Sequence, residues 1–170
     1  MSSTVDKGRA DDGAKARDAM PAHSPESGLV TQVILETFRL NGALLSAGDA
    51  LVGDLGLTSA RWQVLGAVAL EGRPLSVAQI ARRMGLSRQA VQRVVNDLVG
   101  AGLVALEDNP DHKRARLVVL TPAGEAAYAE ADRRQIAWAE ELAEGLGAEA
   151  LAACLTVLRR LSARCEGDRS

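Results

Sequence analysis

Residues 75–104 read LSVAQIARRMGLSRQAVQRVVNDLVGAGLV. Val77, Ile80, Ala81 and Met84 recur at three- and four-residue intervals, which places them on one inward face of a helix opening at Ser76. Gly85 ends that helix, because the left-handed conformation common after a last turn strains glycine least. Ser87 then stands where its hydroxyl can accept from the free N–H groups of a new first turn. In this second helix Ala90, Val91, Val94, Val95 and Leu98 form the inward stripe. Arg88, Gln89, Gln92, Arg93 and Asn96 lie opposite, and no acid appears there before Asp97.

Those outward residue types suit the edges of base pairs. Arg matches the two acceptors of guanine and Gln the mixed edge of adenine, each through paired hydrogen bonds. Two short helices joined by a tight turn put the start of the second against base edges while the first crosses the phosphate backbone. In that arrangement Gln79, Arg82 and Arg83 do the crossing, and Ser87, Arg88, Gln89, Gln92 and Arg93 stand at the groove. The alternative is a helical hairpin whose basic face is merely solvated.

Beyond Gly102 the character changes. Two β-rich runs, 103–106 and 116–121, flank a polar loop containing Asn109, Pro110 and Asp111, the pattern of a hairpin. Lys113, Arg114 and Arg116 make this projection basic. Such a finger fits the negative potential of a narrow minor groove, or else its charges only discourage edge-to-edge pairing.

The flanks read as helices. Residues 1–27 mix both charge signs with Gly, Ala, Ser and Pro and hold too few apolar groups to fold, so they are expected to be disordered. Val30, Val33, Ile34, Phe38, Leu44 and Leu45 then fall on one face of a first helix, broken near Gly48. Its broad stripe is suited to packing against a partner. A short piece over 49–55 follows. Thr58 or Ser59 caps a helix that turns Trp62, Leu65, Val68 and Ala69 inward and ends at Gly72 and Pro74. Thr121-Pro122 opens a long helix with a cap and a proline at the first helical position. A final helix over roughly 148–164 carries Leu151, Cys154, Leu155, Leu158, Leu161 and Cys165 on one stripe.

Composition bounds the function. A chain of 170 residues with one Phe, one Tyr and two Trp must build its core from Leu, Val and Ala, which favours packed helices. The formal net charge is −2, yet residues 59–116 hold nine basic side chains against five acidic ones. A basic module inside an acidic protein grips phosphates locally. No signal peptide or membrane span is recognisable, so a cytoplasmic location is expected. Two cysteines are too few for a disulfide framework. Two distant histidines give no zinc spacing, so neither metal nor cofactor is expected. Without a glycine-rich phosphate loop or a nucleophile elbow, an enzyme is not expected.

Three phrases together, LTSARWQVL, SVAQIARRMGLSRQAVQRVVNDLVGAGLV and NPDHKRARLVVLTPAG, resemble the MarR family of winged-helix transcription regulators over roughly residues 29–165. The resemblance implies a mainly α fold with a small β-hairpin wing. A helical dimerisation region at 28–58 and 122–165 would flank a winged helix-turn-helix domain at 59–121. It further implies a homodimer that binds a near-palindromic operator on double-stranded DNA and represses by occupancy. Many members place an Asp two residues before the wing-tip Arg; here Arg114 takes the Arg place and His112 the Asp place, with Asp111 one position off. The family often holds small anionic aromatic or phenolic effectors, and Arg61 and Trp62 stand at the corresponding entrance, or else serve as a solvated Arg beside a core Trp.

Two other readings compete. Cys154 and Cys165 share a helix face but lie roughly 16 Å apart along it, too far to bridge, so redox sensing would need another geometry. A winged helix can also serve as a protein-interaction module without touching DNA.

Overall fold

The computed structural model describes residues 24–112 and 114–167. The element order is α1 (Pro25–Val52), a 3-10 turn (Gly53–Leu55), α2 (Ser59–Ala69), β1 (Leu75–Ser76), α3 (Val77–Met84), α4 (Arg88–Gly100), β2 (Val104–Glu107), β3 (Leu117–Leu120), α5 (Pro122–Ala143) and α6 (Ala148–Gly167). The chain divides into two compact units, Met1–Gly42 and Ala43–Ser170.

In the first unit the described residues are helical from Pro25. Ser24 caps that helix, its Oγ accepting from Ser27 N at 3.2 Å. The helix therefore opens ahead of Leu29, and the expected disordered tail is too long by its last three residues. The rest of that tail, 1–23, lies outside the described residues. Leu29, Leu35 and Phe38 stand exposed here, Phe38 at 71%.

In the second unit α1 runs on to Val52 without the break expected near Gly48. Gly48 answers a different need. A Cβ there would stand 2.4 Å from Ser59 Oγ, which itself donates to Leu45 O at 2.7 Å. The glycine lets the start of α2, capped by Thr58, press against the end of α1.

The core lies under the helix-turn-helix. Val64, Leu65 and Val68 of α2, Ile80 and Ala81 of α3, and Val91, Val95 and Leu98 of α4 are buried together with Leu75, Val104 and Val118 from the three strands. Ala90, expected on the inward stripe of α4, is exposed, because the first turn of that helix projects beyond the core. The sheet is antiparallel in the order β1-β3-β2, with Val104 opposite Leu120, Glu107 opposite Leu117, and Leu75 opposite Val118. The hairpin was expected; β1, only two residues long, was not.

A knot of hydrogen bonds fixes the wing's root. Thr121 N donates to Leu103 O at 3.1 Å and Thr121 Oγ1 to Gly102 O at 2.7 Å, while Oγ1 also accepts from Gly124 N at 3.1 Å to cap α5. A Cβ on Gly124 would fall 1.9 Å from Leu103 O. Farther along α5, Arg134 bonds to Leu51 O at 3.0 Å, to both carboxylate oxygens of Asp54 at 2.5 and 3.0 Å, and to Glu130 at 2.9 Å. The Arg134 hydrogen bond holds the Asp54 carboxyl below its ordinary range. Arg134 and then Arg133 do the same to Glu130.

The last helix differs from the others. No residue of α6 is buried, and Leu151, Leu155 and Val157 stand open, as do Cys154 and Cys165. The expected stripe exists, but within one chain only Leu158 and Leu161 of it are half-buried. Among the described residues no helix is long and apolar enough to cross a membrane.

Two outcomes are expected. Gly124→Ala forces backbone apart and should cost about 1–3 kcal/mol or more in denaturant unfolding. Gly100→Ala, with nothing within 4 Å of the added carbon, should cost nothing; equal losses would mean the contact at Leu103 is not limiting. Second, Asp54 and Glu130 titrate lower folded than unfolded. Their contribution is complete above the unfolded values of about 4 and vanishes as pH falls through the folded ones. Wild type should then lose more thermal stability than Arg134→Met between about pH 6 and pH 2, and parallel losses would remove Arg134 as the cause.

Candidate nucleic-acid interface

Both helices of the motif are closed by side chains. Ser76 caps α3 in a reciprocal box: its Oγ accepts from Gln79 N at 3.4 Å, and Gln79 Oε1 accepts from Ser76 N at 2.8 Å and from Ser76 Oγ at 2.9 Å. Gly85 adopts a φ of 64° to end α3. Ser87 Oγ accepts from Ala90 N at 3.1 Å and opens α4. Gln79 and Ser87, both expected at DNA, therefore already hold the turn in shape. Gln79 keeps its amide N–H groups for other partners, because only its oxygen is engaged.

From α4 the side chains of Arg88, Gln89, Gln92 and Arg93 are all exposed. Gln92 Nε2 donates to Asn96 Oδ1 at 2.9 Å one turn on, so Asn96 restricts how Gln92 is presented. Arg88, Gln89 and Gln92 line a cleft of about 470 Å³ whose other wall is the wing, through Leu106, Arg114, Ala115 and Arg116. The recognition-helix residues and two of the wing arginines are thus brought to one concavity. Lys113 falls outside the described residues.

The wing is shaped by its own backbone. Asn109 Oδ1 accepts from Asp111 N at 3.0 Å, and Ala115 N donates to His112 O at 2.9 Å. Arg116 donates through Nη2 to Leu106 O across the hairpin, which anchors its guanidinium beside the cleft. Arg114 is exposed, and no ion pair joins it to Asp111 among the described residues. The turn is organised by Asn109 instead.

The remaining expected residues divide by what they touch. Arg82 is exposed on α3, whereas Arg83 Nη2 lies 2.5 Å from Glu71 Oε2. Glu71 also holds Arg73 at 2.6 Å, a basic residue the motif reading left out of the interface. Arg61 Nη1 donates to Gly56 O at 3.2 Å, and its Nη2 stands 4.0 Å from Asp97 of α4. Trp62 is half-buried and packs on the core. Among the described residues no cluster of His, Cys, Asp or Glu is placed to hold a metal ion.

Comparison with known proteins agrees with this layout. A family model described as MarR family matches residues 55–115, from the turn before α2 to the wing. The crystal structure of a MarR family transcription regulator, SP03579, superposes with a TM-score of 0.70 at 24% identity, covering 84% of this chain and 93% of that one. The chain belongs to the MarR family of winged-helix transcription regulators. An uncharacterized protein from Mycobacterium tuberculosis is 39% identical over 140 residues, 82% of this chain and 96% of its own. The structure of Bordetella bronchiseptica BpsR, described as regulated in DNA binding by 6-hydroxynicotinic acid, matches at 25% identity and a TM-score of 0.68, over 77% of this chain and 98% of its own.

Proposed function

We propose that this MarR-family chain is a sequence-specific regulator that works as a homodimer in the cytoplasm. It represses by occupying a near-palindromic operator on double-stranded DNA, and it is released by a small anionic aromatic or phenolic effector. The observation that carries the reading is the joining of Arg88, Gln89 and Gln92 to Arg114 and Arg116 around one cleft. Arg82, Arg88, Arg93 and Arg114 form no ion pair with another described residue, so their charge is unopposed locally. Base-edge contacts then fall to Arg88, Gln89 and Gln92. Phosphate contacts fall to Gln79, Arg82, Arg83, Ser87, Arg93 and Lys113, and Arg114, with Arg116 beside it, enters the minor groove.

Two features support the finer parts. α6 has no buried residue, and Leu151 and Leu155 of its apolar stripe stand exposed; exposed apolar surface of that kind marks an interaction site, and a second copy of the chain fills it. For the effector, Arg61 offers a guanidinium and Trp62 an apolar ring. Because Arg61 faces Asp97 on α4, an anion that draws Arg61 away alters the hold on the recognition helix. The regulation of BpsR by 6-hydroxynicotinic acid is consistent with that ligand class. The role is regulatory and not enzymatic.

DNA selected from a random pool and titrated by fluorescence anisotropy tests the reading. Wild-type affinity should fall about 10³-fold or more between roughly 50 and 200 mM salt. Arg88→Ala and Gln92→Ala should each lose about 1–3 kcal/mol on the selected site and far less on random duplex. Equal losses on both would reduce these side chains to phosphate contacts, and no binding to any duplex in dilute buffer would end the proposal. Light scattering should return about twice the 17.8 kDa chain mass; a single-chain mass at micromolar concentration would remove the dimer.

A further inference from the structure

The turn between α2 and α3 sets one carboxylate beneath two guanidinium groups. Glu71 Oε1 lies 2.6 Å from Arg73 Nη2, and Glu71 Oε2 lies 2.5 Å from Arg83 Nη2. The Glu71 side chain is 18% exposed, against 58% for Arg73 and 44% for Arg83. The acid is therefore the covered member, and the cations reach outward. Each guanidinium has five N–H donors, and the recorded contact is made through a single nitrogen of each. The cluster as a whole keeps one positive charge.

Arg73 also lines a second cleft of about 440 Å³, together with Gln79, Arg82 and the wing residues Asn109, Asp111 and His112. Ser76, Ala78 and Ala115 line both this cleft and the one between α4 and the wing. The two concavities adjoin, one on each side of those small side chains. A duplex seated in the first continues toward the second, where Arg73 and Arg82 meet it.

We propose that the second cleft receives a DNA backbone phosphodiester flanking the operator bases. Glu71 is the positioning residue that holds Arg73 ready for that backbone, its other carboxylate oxygen being engaged by Arg83. The proposal rests on the DNA-binding reading and extends it by one phosphate contact, Arg73, and one acid that acts through its arginines. Arginine side chains are long and lose rotamer freedom when a phosphate fixes them. Holding them beforehand removes part of that loss. Positioning and simple electrostatics give opposite signs here. Removing Glu71 adds net positive charge, which by Coulomb attraction alone tightens DNA binding; if Glu71 positions the arginines, its removal loosens binding.

The experiment measures the affinity of the full chain for its selected site and for random duplex across a salt series, with thermal unfolding of each variant alongside. Arg73→Gln is expected to weaken binding equally on both DNAs and to flatten the salt dependence by about one unit of slope. Glu71→Gln is expected to weaken binding several-fold on both DNAs, and Glu71→Asp to recover part of the loss. A purely structural role for Glu71 would lower the unfolding temperature and leave affinity at saturating fold unchanged. Tighter binding by Glu71→Gln would overturn the positioning role, and an unchanged slope for Arg73→Gln would overturn the second phosphate site. If wild type binds duplex normally, those results sink this inference alone. If wild type binds none, the DNA reading fails first.

Discussion

Helix α4 has to keep Val91, Val95 and Leu98 fully out of water while Arg88, Gln92 and Arg93 on the same thirteen residues stay in it. A helix of that length is marginal by itself, so its rotation about its own axis comes from what packs beneath. Leu65 of α2, Ile80 of α3, and Leu75 and Val118 of the sheet are equally buried, and each such side chain contributes about 1.5–3 kcal/mol through burial. Turning α4 enough to move an arginine off the outer face would expose one of these valines. The apolar core thereby aims the polar face.

The arginines of the chain are divided by what already holds them. Arg134 is bound by Asp54, Glu130 and the Leu51 carbonyl, and it ties α5 to the end of α1. Arg61 is turned toward Gly56 and Asp97. Arg116 is fastened to β2, and Arg73 and Arg83 share Glu71. Arg82, Arg88, Arg93 and Arg114 carry no such tie among the described residues. These four lie on α3, α4 and the wing, the elements around the two clefts, and Arg159, Arg160 and Arg164 of α6 are likewise untied among the described residues.

Much of this was legible because the motif has strong periods and punctuation. Helical spacing in 77–98, glycine at 85 and serine at 87 gave α3, the turn and α4 nearly to the residue. Thr121-Pro122 gave the start of α5. The same device opens α1 at Ser24-Pro25, where the residues before it carry no apolar period that would mark a helix start. Spacing alone makes Gly48 a break, because it cannot distinguish a glycine that stops a helix from one that admits Ser59. Strand β1 is too short to have a period. Gln79 fitted a phosphate contact by residue type, but the Ser-x-x-Gln spacing of a capping box was equally present at 76–79. The Arg83–Glu71 pair joins different elements across a turn, and no local pattern announces it.

Strand β3 is paired on both sides, by β1 and by β2, and its last residue leads directly into the Thr121 cap. The hairpin is consequently clamped at its base from three directions, while at its tip Asn109 Oδ1 accepts from Asp111 N and Asn109 O from His112 N. Since closing a longer loop adds only slowly to the entropic penalty, the finger can gain or lose residues at its tip without disturbing strand register. Wing length can thus vary while the base, tied through Thr121 to Gly102 and to the start of α5, keeps its form.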